Sequence, residues 1–225
     1  NIGLLIFPRM TLLDMVGASE VFLRVPGAKI HLVWKNRELV SCGGQMLQPS
    51  VTFAECPPLD VLCVPGGGGQ VDLMEDEEAL EFLRRQGAQA KWVTSVCTGS
   101  LILAAAGLLN GYRAACHWAS RDQLALFEGV TPVDERVVID RNRVTGGGVT
   151  AGIDFALTLV AKMYDEELAR AIQLTMEYDP EPPFVGGSPK SADPAFVAKV
   201  RAQMESFIAS RRAVSERVAA KMKRK

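Results

Sequence analysis

Val93-Thr94-Ser95-Val96-Cys97-Thr98-Gly99-Ser100-Leu101 decides the fold of this chain. A β-branched run ends at a cysteine, and the helix-forming run Leu101-Ile102-Leu103-Ala104-Ala105-Ala106 begins just after it. The stretch reads as a strand, a sharp turn and a helix, with Cys97 at the turn. The spacing small-x-Cys-x-Gly follows the G-x-S-x-G nucleophile elbow, with sulfur in place of oxygen. Small residues at Ser95 and Gly99 let strand and helix approach closely around the bend. The start of the helix adds partial positive charge, which is expected to favour thiolate over thiol. Cys97 is thus the candidate nucleophile, against the plainer reading of a small buried hydrophobe. The other cysteines, Cys42, Cys56, Cys63 and Cys116, fit that plainer reading.

Outward from this elbow, strand and helix patterns alternate. Ile2 to Phe7 reads as a buried strand closed by Pro8, and Leu13 to Leu23 as a helix. Lys29 to Trp34 is a second strand. Glu38 to Ser41 and Met46 to Gln48 form hairpin arms around Gly43-Gly44. Asp60 to Val64 is another buried strand, ended by Pro65 and four glycines. Asp76 to Gln86 is an amphipathic helix. A second hairpin spans Arg136 to Thr145 and turns at Asp140-Arg141-Asn142. Gly146-Gly147-Gly148 follows, then helical runs over Ala151 to Met163 and Asp165 to Met176.

Such alternation implies an α/β fold: a mostly parallel central sheet with helices on both faces, built by right-handed crossovers. Ligands then bind outside the carboxyl ends of the strands. Gly66 to Gly69, Cys97 and Gly146 to Gly148 all follow strand ends, so they should converge on one sheet edge. Residues 1–178 are expected to form the catalytic domain. Residues 179–225 read as a Pro/Gly-rich arm and one amphipathic helix, packed on the same domain or on a dimer partner. In that helix Phe196, Val200, Met204, Phe207 or Ile208, and Val218 recur at helical spacing.

Composition narrows the classes. With 225 residues, 48% hydrophobic and 23% charged, the chain suits a globular domain. A net charge of −1 argues against a general nucleic-acid binder. Five scattered cysteines with no C-x-x-C pair fit reduced thiols in a cytoplasmic protein. No run approaches the roughly 18 apolar residues that a membrane helix needs. Two histidines and dispersed cysteines make a metal site unexpected.

The glycines after Val64 lack a following G-K-[ST] and a G-x-G-x-x-G pattern, which argues against phosphate binding. They read instead as backbone N–H donors for a reacting atom, with Gly66 and Gly67 as substrate-binding residues. Cysteine hydrolases pair the thiol with a histidine, but His31 lies within a strand and His117 reads as a local packing residue. A carboxylate is the better partner. Asp14 follows the first strand on the Cys97 edge. Beside a thiol in an apolar pocket its pKa should rise, so that it can hold and deliver a proton. The alternative is a first-turn helix acid.

Ser95-Val96-Cys97-Thr98-Gly99-Ser100-Leu101, Pro65-Gly66-Gly67, His117-Trp118 and Asp14 together resemble the class I glutamine-amidotransferase-like superfamily, which includes the PfpI-type proteins and has a flavodoxin-like fold. Within it, Pro57 to Val61, Thr145 to Leu159 and Glu177 to Phe184 make the chain similar to the isonitrile hydratase family. That resemblance implies addition of water to an isonitrile, R–N≡C, to give an N-substituted formamide through a Cys97 thioimidate. It implies Cys97, Asp14 and Thr98 as catalytic residues, no metal or organic cofactor, and a homodimer. The sequence departs from the family pattern at Gly68-Gly69-Gln70 and in a longer basic C-terminus. A glyoxalase or deglycase usually has histidine where Thr98 stands and glutamate where Asp14 stands. A hydrolase would need a nearby histidine. A redox-sensing or regulatory module is the non-enzymatic alternative, but too little chain follows Met176 for a tandem helix-turn-helix.

Overall fold

Short, fully apolar runs build the centre of the sheet. In the computed structural model, which describes residues 1–224, Ile2–Leu5 (β1) and Val61–Val64 (β6) are buried at every position. Burial without alternation is the mark of strands covered on both faces. Between them lie Leu12–Phe22 (α1), Ile30–Trp34 (β2), Val40–Cys42 (β3), Gln45–Leu47 (β4) and Val51–Thr52 (β5). After β6 come Gln70–Leu73 (α2), Glu77–Gln89 (α3), Trp92–Val96 (β7), Gly99–Ala105 (α4) and Arg113–Ala114 (β8). A 3-10 turn over Arg121–Leu126 precedes Thr131–Pro132 (β9), Val137–Asp140 (β10) and Arg143–Gly146 (β11). The chain ends in Ala151–Met163 (α5), Glu166–Thr175 (α6), Pro194–Gln203 (α7) and Glu205–Met222 (α8).

The main sheet has the order β10-β11-β7-β6-β1-β2-β5. Every neighbouring pair is parallel except β10 with β11, the hairpin that closes one edge. From β1 the chain first moves to β2 and β5, then returns to the other side of β1 and continues through β6, β7 and β11. Right-handed crossovers running in opposite directions place their helices on opposite faces. Accordingly α1 packs with α5, while α4 packs with α3 and α8. The reversal lies between β1 and β6, and the crevice beyond their carboxyl ends is the default ligand site of such sheets.

Two expectations change in detail. The predicted single C-terminal helix is two, α7 and α8, joined at Met204. Of its apolar positions Ile208 and Val218 are buried, whereas Phe196 and Phe207 are 58% and 44% exposed. The α8 face that meets the core also carries Arg211 and Ser215. Second, short pairings that periodicity does not reveal appear at β5 and between β8 and β9.

Candidate active site

The elbow is a local consequence of its residues. Cys97 has φ of 59°, in the left-handed region that side chains rarely adopt. Such a residue costs on the order of 1–3 kcal/mol and persists only where its surroundings enforce it. Here the Cys97 N–H donates to the Gly146 carbonyl at 3.1 Å, joining the ends of β7 and β11. Leu101, Ile102, Leu103 and Ala104 of α4 are wholly buried. Each large side chain among them contributes roughly 1.5–3 kcal/mol of apolar burial, enough to hold the bend. A Cβ on Gly99 would stand 2.1 Å from the Val64 carbonyl oxygen, so the close approach of α4 to β6 requires glycine.

Three sheet-edge segments converge on this cysteine. Asp14, in the first turn of α1, is fully buried. Its Oδ2 accepts the Gly66 N–H at 2.9 Å. Its Oδ1 has no aligned donor, and the polar neighbour that acts on the carboxyl is the Cys97 thiol. Thr98 Oγ1 accepts the Gly67 N–H at 3.0 Å, which leaves its hydroxyl proton free to be donated. The glycine N–H groups expected to meet a substrate atom are engaged within the protein in this structure, Gly66 with Asp14 and Gly67 with Thr98. Gly66 must also be small, since a Cβ there would lie 2.4 Å from the Thr98 nitrogen.

Burial dominates the electrostatics. It pushes the Asp14 carboxyl up to about 7, against the lowering effect of the Gly66 N–H and the Cys97 thiol. Burial, and then the charge of Asp14, push the Cys97 thiol well above its ordinary value, with the Thr98 N–H and Arg211 acting the other way. The expected lowering by the helix start is thus reversed. The helix α4 has only seven residues, and desolvation outweighs its field. Cys97 and Asp14 share the site as a thiol and a carboxyl near neutrality, with 5% and 0% of their surfaces exposed.

The histidines stay outside this pair. His31 lies in β2, with Nε2 3.1 Å from Asn1 Oδ1. The Nδ1 of His117 accepts the Ala119 N–H at 3.3 Å, and burial holds its pKa below the ordinary value. One charged group had no signal in the local sequence pattern. Arg211 of α8 is 3% exposed, donates from Nη1 to Ser120 Oγ at 2.7 Å, and its charge bears on both Cys97 and Cys116. Among the described residues no group of three or more His, Cys, Asp or Glu side chains is placed to hold a metal ion. A groove of 1080 Å³ lies elsewhere, between α3 and the end of α8, and includes none of Cys97, Asp14 and Thr98.

The chain is 50% identical over 223 residues to an isonitrile hydratase of Pseudomonas putida, an alignment covering 99% of this chain and 97% of that protein. A crystal structure of a ThiJ/PfpI family protein from Pseudomonas syringae superposes with a TM-score of 0.89 at 46% identity, covering 97% of this chain and 89% of that one. The HTH-type transcriptional regulator GbdR of Pseudomonas aeruginosa is 30% identical over 80% of this chain, but this chain spans only 51% of its length. The DJ-1/PfpI family model matches residues 1–162, from β1 to the end of α5, so this chain belongs to the DJ-1/PfpI family.

Proposed function

We infer that this chain is an isonitrile hydratase, a hydro-lyase that converts R–N≡C and water into R–NH–CHO. The observation that carries the reading is the buried pairing of Cys97 with a carboxyl poised near neutrality, in a chain half identical along its length to an isonitrile hydratase. The terminal carbon of an isonitrile is slender and electrophilic toward sulfur, which suits a thiol only 5% exposed.

In this reading Asp14 takes the Cys97 proton as sulfur attacks the isonitrile carbon. The electron pair left on that carbon accepts the proton back from Asp14, giving the thioimidate R–N=CH–S–Cys97. Water then adds to the same carbon. One water proton passes to nitrogen, the C–S bond breaks, and sulfur regains a proton as the formamide forms. A carboxyl near neutrality can serve as base and acid in turn. Thr98, with a hydroxyl proton to donate, positions the acid or the water. No amine leaves, so no histidine is required. The Thr98 and Asp14 positions also set the site apart from the histidine and glutamate expected of a glyoxalase or deglycase.

We further propose that the enzyme works as a cytoplasmic homodimer. No helix among the described residues is long and apolar enough to cross a membrane, and all five cysteines are free thiols. Leu174 at the end of α6 and Phe184 and Val185 on the arm are 82%, 83% and 96% exposed, an apolar set suited to a second copy.

The test is turnover of an aryl or cyclohexyl isonitrile in heavy-oxygen water. The expected product is the formamide carrying one solvent oxygen, absent with Cys97→Ala. Release of amine and formate, or no turnover of several isonitriles, would overturn the assignment. Light scattering that shows a monomer would overturn the dimer.

A further inference from the structure

Arg211 is a buried cation without an anion. Its side chain stacks on Phe207, with the guanidinium carbon 4.3 Å from the ring centroid, and donates to Ser120 Oγ, while Nε has no hydrogen-bond partner. No carboxylate forms an ion pair with it among the described residues, although every other arginine on α8 has one: Arg212 pairs with Asp122 and Arg217 with Glu75. Burying an uncompensated guanidinium is costly, and a fold retains one where its charge acts on something nearby.

The chain path shows what that is. Ser100, three residues past the nucleophile, hydrogen-bonds the Ala115 carbonyl at 2.5 Å and so ties Cys116 and the turn after it to the elbow. Within that turn the Ser120 N–H donates to the His117 carbonyl, and the Ser120 hydroxyl meets Arg211. The helix α8 packs on both α4 and the 3-10 turn. Ser215 and Gln123 add a hydrogen bond of 2.9 Å between the same two layers. Arg211 is therefore held over the nucleophile side of the sheet by a helix that lies beyond the matched family region.

We propose that Arg211 is a positioning residue whose unpaired charge stabilises the Cys97 thiolate, so that the C-terminal helix completes the active site of this enzyme. The proposal rests on Cys97 being the nucleophile of the hydratase reading. Other groups bear on the thiol: Asp14 from α1 opposes its ionisation, and Cys116 from the neighbouring turn does the same if ionised. Burial, and then the charge of Arg211, hold the His117 pKa below its ordinary value. Arg211 is the one cation of this set.

The experiment follows the rate of Cys97 alkylation by the neutral reagent iodoacetamide, mapped by peptide mass from pH 6 to 10 in the full chain, where the rate tracks the thiolate fraction and a displaced midpoint is read as the ratio of rates at one pH. Arg211→Gln keeps a donor for Ser120 and removes the charge. Its alkylation midpoint should rise by on the order of one pH unit, about tenfold slower labelling at pH 7, as for loss of a nearby opposite charge. Arg211→Lys should restore most of the rate. If Arg211→Gln does not fold, Ser120→Asp supplies the missing anion instead and should raise the midpoint in the same direction. A folded Arg211→Gln or Ser120→Asp protein with the wild-type midpoint, or an Arg211→Lys midpoint raised as far as that of Arg211→Gln, would overturn the proposal. Labelling needs no isonitrile. A raised midpoint in a protein that turns over no isonitrile sinks the substrate assignment alone, and normal turnover with an unmoved midpoint sinks this one alone.

Discussion

Asp14 keeps its proton in a range where surface carboxyls have lost theirs, and this links catalysis to stability. Its folded pKa of about 7 lies above the ordinary value near 4, so the neutral form is favoured by folding. The folded state then binds more protons than the unfolded one between those values. The associated stability is fully present below about pH 4 and is lost as pH rises through 7, a swing on the order of 4 kcal/mol. Asp14→Asn can still accept the Gly66 N–H but carries no charge. Its stability relative to wild type should therefore improve by a few kcal/mol between pH 4.5 and 8.5, measured by urea unfolding of both proteins. An unchanged difference at the two pH values would show that the carboxyl is not held neutral. The same variant should lose on the order of 10²-fold or more in turnover, the usual scale of general acid–base catalysis. At this scale the places of two candidate residues were legible in the sequence, Cys97 at the end of β7 and Asp14 in the first turn of the helix after β1, whereas Thr98 was singled out by the family resemblance alone. The direction of the thiol shift was not legible. It follows from burial, which depends on what α1 and α8 lay over the elbow.

At the scale of elements, the site depends on backbones approaching more closely than side chains allow. The first turn of α4 sits against the end of β6 because Gly99 faces the Val64 and Pro65 carbonyls. A methyl there cannot be absorbed by a flexible neighbour, because the atoms it meets are backbone. Gly99→Ala should cost about 1–3 kcal/mol, the usual range for overpacking, and slow Cys97 alkylation at pH values where the folded fraction is unchanged. Gly187→Ala is the control: nothing lies within 4 Å of the new Cβ, and the glycine has no positive φ. Its melting temperature should match wild type. Equal losses in the two variants would mean that the elbow tolerates displacement. The glycine-rich loop after β6 shows where local reading stops. Its place at a strand end was clear from Pro65 and four glycines. That its N–H groups hold Asp14 and Thr98 could not be read, because those partners come from α1 and the elbow, elements brought together only by the reversal of strand order between β1 and β6.

At the scale of the molecule, α8 acts as a cover fastened over the turn that carries Cys116, His117 and Ser120. Its buried positions are Ile208, Val214, Val218 and Ala219, with Arg211 and Ser215 reaching polar partners below. Helical spacing in the sequence indicated a docking face, but the polar members of that face broke the pattern, and Phe207, whose ring stacks on Arg211, proved 44% exposed. If α8 opens locally, it should uncover Cys116, which is 2% exposed, without disturbing Cys63 in the central strand β6, which is wholly buried. Ile208→Ala removes a buried anchor whose carbonyl also lies 3.5 Å from Gln123 Nε2. The truncation should destabilise docking by about 2–4 kcal/mol, so the open population rises at least tenfold. Thiol labelling of the folded variant, mapped by peptide, should then find Cys116 modified well before Cys63, because local opening needs less free energy than global unfolding. Labelling of both cysteines at one common rate would show that α8 leaves only when the whole sheet unfolds, and would make the helix part of one cooperative unit with the active site.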